Sequence, residues 1–211
     1  MNSNIFFKNR TAAGKDLAEK LSNYKGKNVI VFGLPRGGVV VAYEIAKYLN
    51  VELQVLPVRK LALPEREELA VGAISFDGTI VLNEKYIGLL NVDKKQIDKE
   101  IENEKARLKE MKIKFRKNQP LSDLKNKIAI VVDDGIATGY TAKVALKTLQ
   151  KYNPKELILA TSVIDKRVYG ELSGLAASIV GNITSDLYAI GMFYQDFQQV
   201  SDDEVLGFLN N

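Results

Sequence analysis

With 211 residues, the chain is long enough for one globular domain, and 46% hydrophobic and 27% charged residues are ordinary values for such a domain. The sequence contains neither cysteine nor histidine, which excludes disulfides, thiolate chemistry, histidine general bases and zinc sites with the usual ligands. Any bound metal must therefore be held by oxygen, which favours Mg²⁺. Residues 93–117 hold ten basic and six acidic residues, an excess equal to the net charge of +4, so we expect no general nucleic-acid binding.

The hydropathy of the chain predicts its location. No apolar run approaches the roughly 20 residues that span a bilayer, so we expect no membrane contact. The first ten residues lack the apolar core and small residues of a signal peptide. We therefore expect a cytoplasmic protein.

Strand and helix patterns alternate along the chain. Apolar runs predict strands over 28–32, 51–58, 79–82, 127–132, 156–164 and 178–182. Helical spacing of apolar residues predicts helices over 11–24, 38–49, 93–117, 142–152 and 167–176. Residues 59–73 are mixed in charge and contain a proline, which indicates a loop.

This alternation indicates the fold class. Apolar strands that alternate with helices are typical of a mostly parallel sheet covered by helices on both faces. We therefore predict a single α/β domain over 1–211, in which the segment 165–211 forms a small hood over the sheet, with the N-terminal helix as a candidate second part of that hood. Ligands of such folds bind at the carboxyl ends of the strands.

The strongest functional motif is VVDDGIATGYTA, residues 131–142. A buried strand ends in Asp133 and Asp134, and small residues then lead into a helix that begins near Tyr140 or Thr141. Such a loop presents backbone N–H groups at a helix N-terminus, which favours an anion. The carboxylates suit the two hydroxyls of an adjacent sugar, so the motif describes a phosphorylated ribose site. The alternative is a plain strand-to-helix turn with an aspartate cap.

A second motif, GLPRGG, follows the first core strand. Arg36 lies between Pro35 and the pair Gly37 and Gly38, so its cation is carried by a stiff turn with little side-chain cover, which suits a diphosphate. The spacing is not that of a dinucleotide-binding glycine motif. The alternative is an ordinary turn with a solvated arginine.

These motifs resemble those of the type I phosphoribosyltransferases, and the resemblance covers nearly the whole chain. It includes GLPRGG, VRK at 58–60, the 131–142 motif and GMFYQDF at 191–197. The greatest similarity is to a bacterial group without an assigned substrate. The resemblance implies a type I fold with a helical insertion at 93–117, and a homodimer is common in the family.

The resemblance also implies roles for individual residues. Asp133 and Asp134 would bind the ribose hydroxyls. Pyrophosphate would be bound by the first turn, with a cis peptide at Pro35–Arg36 or Leu34–Pro35, and by Arg59 and Lys60. The 5-phosphate would be bound by Gly135, Ile136, Ala137, Thr138, Gly139, Tyr140 and Thr141.

The acceptor half of the site is less defined by the resemblance. Residues 59–78 would form a flexible closing loop, in which Glu65, Glu67 and Glu68 are candidate bases. Ala137 replaces the aspartate base of the 6-oxopurine branch, yet the C-terminal motifs resemble that same branch. In that branch, a lysine and an aromatic residue bind the base, and an acidic residue lies near the metal. The corresponding lysine here would be Lys166, and the acidic residue would be Asp196. The aromatic residue would be one of Phe193, Tyr194 and Phe197. A buried aromatic cluster is the alternative for the last group.

The expected function is phosphoribosyl transfer from 5-phosphoribosyl 1-pyrophosphate to a nitrogenous acceptor, a purine or pyrimidine base, with Mg²⁺ and with release of pyrophosphate. Asp133, Asp134 and Arg36 are the expected catalytic residues. A non-catalytic sensor of the same ligand that regulates transcription or RNA is the alternative, with the helix at 93–117 as its contact surface. A receiver-like signalling domain is disfavoured because its acidic pair should follow the first strand.

Overall fold

A computed structural model describes residues 7–63, 66–185 and 187–210, and for residues 66–69 it describes the backbone alone. The strands are β1 (Val29–Gly33), β2 (Glu52–Val55), β3 (Val58–Leu63), β4 (Arg66–Ser75), β5 (Ile80–Leu82), β6 (Ile128–Asp133), β7 (Glu156–Asp165) and β8 (Ser178–Thr184). The α-helices are α1 (Arg10–Lys20), α2 (Gly37–Leu49), α3 (Glu84–Leu89), α4 (Lys94–Arg116), α5 (Tyr140–Gln150), α6 (Lys166–Ser173) and α7 (Asp202–Leu209). Short 3-10 helices lie at Ser22–Tyr24 and Ile190–Phe193.

The central sheet has five parallel strands in the order β2–β1–β6–β7–β8, which confirms the predicted fold class. Alternate residues of each strand face opposite helical layers. Val29 and Val31 pack with α1 and α2, whereas Ile30 and Phe32 pack on the face covered by α5. Both faces are therefore apolar, and the carboxyl ends of the strands meet at one edge.

A second, antiparallel sheet of β3, β4 and β5 lies between α5 and α4. Leu61, Val71 and Ile74 pack with Leu108 of α4, and Ala73 belongs to the cluster that contains α5. The prediction of a loop over 59–73 was therefore wrong. Leu61 of β3 and Val71, Ala73 and Ile74 of β4 are buried, and the charged residues in this stretch of the sequence had hidden that apolar pattern.

The predicted strand 51–58 is divided between the two sheets. Proline has no N–H to donate to a sheet ladder, and Pro57 separates β2 from β3. Its carbonyl instead accepts from Phe76 N at 3.1 Å, which joins it to the small sheet. Arg59 and Lys60, which directly follow the predicted strand 51–58, consequently lie on the small sheet and not at the end of a central strand.

The C-terminal segment, predicted as a hood over 165–211, first contributes α6 and β8 to the central fold. Residues 187–210 then return to the core, where Phe7 pairs with Tyr194 and α7 packs against α2. The N-terminal helix α1 packs on α2 and covers one face of the sheet. In the parts of the chain that the structure describes, none of the helices has the length and apolarity needed to cross a bilayer.

Candidate active site

The ends of β1 and β6 form one continuous platform. Gly33 pairs with Val132 in the parallel ladder, and Leu34 N donates to Val132 O at 2.9 Å beyond it. The turns that follow the two strands are therefore adjacent, although they are about a hundred positions apart in sequence. Together they line a cavity of about 650 Å³, whose wall includes Pro35, Asp133, Asp134, Gly135 and Thr141.

Two glycines allow the start of α2 to pack directly against the end of β6. A Cβ atom on Gly37 would lie 1.9 Å from Asp134 Oδ2, and one on Gly38 would lie 2.7 Å from Val132 O. A larger residue at Gly37 would displace the side chains of Asp134 and Arg10, and one at Gly38 would displace the backbone at the end of β6. The peptide bond between Pro35 and Arg36 is cis, at one of the two predicted positions.

The loop after the acidic pair is held by the neighbouring strand. Ile136 N donates to Val163 O at 2.9 Å, and Asp165 N donates to Ile136 O at 2.9 Å. The N-cap of α5 is Gly139, with φ of +74°, a conformation that glycine adopts without strain. Because glycine has no side-chain acceptor, that residue leaves the first-turn amides of α5 available to an anion.

Around this helix start, the predicted phosphate residues are differently placed. Thr141 lines the cavity, and Thr138 is exposed. Gly135 is buried against Ile190, since a Cβ there would lie 2.3 Å from Ile190 Cγ2. Ala137 packs beside the aromatic cluster described below.

The two carboxylates of the acidic pair have different surroundings. Burial raises the pKa of Asp133 well above its ordinary value, and the neighbouring charge of Asp134 raises it further. One oxygen, Asp133 Oδ1, accepts from the backbone N–H of Asp134 at 2.9 Å. The side chain of Asp134 instead forms an ion pair.

The partner of Asp134 is Arg10, at the first position of α1. Arg10 Nε lies 2.6 Å from Asp134 Oδ2, and the two side chains are only 11% and 13% exposed. The guanidinium carbon lies 3.8 Å above the ring centre of Phe197, and Nη1 donates to Gln198 O at 2.7 Å. The N-terminal helix and the C-terminal segment thus hold one carboxylate of the pair in place.

Sequence reasoning missed Arg10. The predicted helix 11–24 began directly after Arg10, and in the structure Asn9 caps α1 by accepting from Ala12 N at 3.0 Å. Neither feature indicates a contact with a residue 124 positions away. The sequence offered one signal for a distant contact of Arg10: it has no acidic residue three or four positions later with which it could pair within the helix.

Tyr194 supports the acidic pair from beneath. Its hydroxyl lies 2.6 Å from the carbonyl oxygen of Asp134 and 2.7 Å from Ser162 Oγ, and Ser162 also bonds that carbonyl. Burial raises the pKa of Tyr194, so the hydroxyl stays protonated. Tyr194 and Phe193 belong to a buried cluster with Phe7, and Phe197 packs against it.

None of the base-pocket residues predicted from the resemblance lines the described wall of the cavity. The aromatic residues are committed to the buried cluster, which was the stated alternative. Lys166 is exposed at the start of α6, where the adjacent Asp165 bonds Arg167. Asp196, the predicted metal ligand, is exposed and accepts from Gln198 N at 3.3 Å.

The predicted pyrophosphate residues lie on the opposite rim. Arg59 and Lys60 line the cavity from β3, and Arg59 Nε lies 2.6 Å from Glu104 Oε2 of α4. Arg36 is exposed and pairs with Asp202 at 2.6 Å. Glu65 and the side chains of Glu67 and Glu68, the candidate bases, lie outside the described residues.

A family comparison decides which kind of domain carries this platform. The model of the phosphoribosyl transferase domain matches residues 3–186, which is most of the chain. The chain belongs to the phosphoribosyl transferase family.

Relatives of this phosphoribosyl transferase domain include two curated proteins from Mycobacterium tuberculosis, Rv0571c and MT0597, both provisionally named as phosphoribosyl transferases. Each is 40% identical to it over 205 residues, or 97% of the chain. The chain spans 46% of their length, so these relatives are about twice as long.

Solved structures share the architecture. TT1426 from Thermus thermophilus is 33% identical, with a TM-score of 0.77 and coverage of 97% of both chains. AQ2163 from Aquifex aeolicus, at 10% identity, has a TM-score of 0.51 and covers 92% of this chain and 77% of its own. The second likeness shows the fold alone.

Proposed function

We propose that this domain transfers the phosphoribosyl group of 5-phosphoribosyl 1-pyrophosphate to a nitrogenous acceptor and releases pyrophosphate. The observation that carries the proposal is the single cavity in which Asp133 and Asp134, the start of α5 and the Pro35 turn meet. A sugar diol, a phosphate and a diphosphate each require one of these three groups. Family membership supports the same reaction.

Each part of the donor has a chemically suitable partner. The carboxylates accept hydrogen bonds from the two ribose hydroxyls, while the first-turn amides of α5 and the hydroxyl of Thr141 bind the 5-phosphate. The diphosphate lies toward Pro35, with the cations of Arg36 and Arg59 at that rim. A donor fixed at three points is oriented for attack by the acceptor nitrogen at C1, and positive charge that develops on the sugar lies close to the carboxylates.

The chemistry of the site fits Mg²⁺ held mainly through the ligand. Among the side chains that the structure describes, no group of three or more acidic, histidine or cysteine residues could hold a metal by itself. One or two carboxylates together with substrate phosphates are the usual ligands of Mg²⁺, and Asp133 and Asp134 can supply the protein share. When bound, the ion would neutralise charge on the leaving pyrophosphate.

The acceptor is proposed to be a purine or pyrimidine base. Since Tyr194 and Phe197 are committed to the aromatic cluster, recognition of that base does not depend on their stacking. The helix α4, the contact surface of the regulatory alternative, instead packs on the small sheet and lines the cavity with Glu100, Asn103 and Arg107. That placement favours a role in the reaction site. A homodimer remains part of the proposal, on family grounds alone.

The reaction is tested by following pyrophosphate release from the donor with Mg²⁺ and a panel of purines, pyrimidines and orotate. We expect release with at least one base, and a loss of at least about tenfold in Asp133→Asn and Asp134→Asn, because each removes a charged hydrogen-bond acceptor. Asp16→Asn, at an exposed pair on α1, is the control. Release that is equal in all three variants would contradict the proposal.

A further inference from the structure

A second cavity of about 430 Å³ continues from the first, past the Pro35 turn, to the start of α7. We call it the α4–α7 groove. The two cavities share Pro35, Arg59 and Arg107, so a ligand can extend from one into the other. The residues that matter for its charge are Arg36, Arg59, Arg107, Lys114, Glu110 and Asp202.

The junction of the two cavities is organised by one buried carboxylate. Glu104 is 2% exposed and pairs with both Arg59, at 2.6 Å, and Arg107, at 2.5 Å. A buried carboxylate requires such partners, so it fixes both guanidinium groups at the junction. Their own side chains are 37% and 59% exposed, which leaves donor surface directed to the cavities.

The far end of the groove already binds an anionic group of the chain itself. Asp202 accepts from Arg36 Nε at 2.6 Å and from Lys114 Nζ at 2.8 Å. These contacts lower the pKa of Asp202, the hydrogen bond from Lys114 being the first cause and that from Arg36 the second. An oxyanion between these two cations is therefore a favourable arrangement here, and the carboxylate that supplies it is itself 30% exposed.

Asp202 can leave this position without unfolding its helix. The start of α7 is held by a capping box between Ser201 and Glu204, and Val205 is fully buried against α2. Phe208 packs on Tyr43, with ring centres 5.0 Å apart. Exchange of the Asp202 carboxylate for another anion thus requires only local side-chain movement.

We propose that the α4–α7 groove is the binding site for the diphosphate end of the donor, and that Asp202 occupies it as an internal competitor when the donor is absent. This extends the proposed function, on which it rests, to α4 and α7. The diphosphate would pass Pro35, contact Arg59 and Arg107 at the junction, and displace Asp202 from Arg36 and Lys114. Arg107 and Lys114 would then be ligand residues, and Glu104 a positioning residue.

The proposal is tested by titrating inorganic pyrophosphate into the full chain at about 0.15 M ionic strength, where exposed charges are screened. We expect Asp202→Asn to bind pyrophosphate about threefold more tightly, since an exposed ion pair that competes with the ligand is lost. We expect Arg107→Gln to bind it about fivefold more weakly. Asp203→Asn, the exposed neighbour in the same helical turn, is the matched control and should equal the wild type.

Unchanged or weaker binding by Asp202→Asn, relative to Asp203→Asn, would overturn the competitor role. Unchanged binding by Arg107→Gln would overturn the site at the junction. Pyrophosphate added to protein saturated with donor should not bind; simultaneous binding would assign the groove to a separate diphosphate effector instead. If the wild type binds neither the donor nor pyrophosphate, the proposed function itself fails. If the wild type binds them but the variants show no change in affinity, only this inference is refuted.

Discussion

Two arginine–aspartate pairs join the ends of the chain to the rim of the active-site cavity, and they differ in burial. Arg10 and Asp134 are 11% and 13% exposed, with Phe197 beneath the guanidinium group. Arg36 and Asp202 are 45% and 30% exposed. The two Nε–carboxylate distances are equal, at 2.6 Å.

The difference shows that distance alone does not assign a role to an ion pair. A buried pair that loses one partner leaves an unpaired charge, so the Arg10 pair acts as a fixed support of the acidic pair. An exposed pair contributes little to stability because solvent and salt screen it, so the Arg36 pair can be exchanged for a ligand. The same two side-chain types thus serve positioning in one place and binding in the other.

The largest effect is expected from Gly37→Ala, which breaks the buried pair by steric contact. A Cβ at this position would lie 1.9 Å from Asp134 Oδ2 and 2.6 Å from Arg10 Nε. We expect the free energy of unfolding to fall by about 3 kcal/mol, through overpacking and loss of the pair. Urea denaturation measures this, with Gly170→Ala, where a Cβ meets no atom within 4 Å, as the control. Equal stability of the two variants would show that the close contact is not maintained.

Arg10→Gln and Arg36→Gln compare the two pairs directly. Arg10→Gln should lower the free energy of unfolding by about 2 kcal/mol, because Asp134 is left without its cation. Arg36→Gln should lower it by less than about 1 kcal/mol, yet weaken pyrophosphate binding at least about fivefold. Urea denaturation gives the stability of each variant, and calorimetric titration gives its affinity for pyrophosphate. Similar stability losses in the two variants would remove the distinction drawn here.

Tyr194→Phe tests how the buried hydrogen bonds beneath Asp134 support the acidic pair. Without its hydroxyl, the Asp134 carbonyl and Ser162 lose a partner, and we expect a loss of about 1–2 kcal/mol in unfolding free energy. Donor binding should weaken with it, since the Asp134 backbone is no longer fixed. Tyr188→Phe, at a side chain that is 85% exposed, is the control. A stable variant with weakened donor binding would instead indicate direct contact with the ligand.

Asp133→Asn should have the smallest effect on stability, and of opposite sign. Because the pKa of Asp133 is raised in the folded state, its ionised form costs stability at pH values above that folded pKa, and the cost disappears as the pH falls toward the ordinary value of 3.8. The variant should therefore be more stable than the wild type at pH values above the folded pKa, with the gain vanishing near pH 4. Thermal unfolding across this range measures it. A variant that is less stable at every pH would contradict the raised pKa.

The sequence predicted the central sheet because its strands are continuous apolar runs, and it located Asp133, Asp134 and the Pro35 turn through local motifs. It predicted β5 as the strand 79–82, but it did not predict β4 or the small sheet, whose pairing depends on tertiary contacts of β4 with α4 and α5. It also missed Arg10, and it did not predict the hydrogen bond of Tyr194 to the Asp134 carbonyl. Both bind Asp134 across large sequence separations, and no local pattern encodes such contacts.

The central claim is that the acidic pair at the end of β6 binds the donor sugar. Isothermal titration of 5-phosphoribosyl 1-pyrophosphate with Mg²⁺ into the wild type and the double variant Asp133→Asn plus Asp134→Asn tests it most directly. We expect saturable binding by the wild type and at least about a tenfold loss of affinity in the folded double variant. Absence of wild-type binding, or equal affinity of the two proteins, would contradict it.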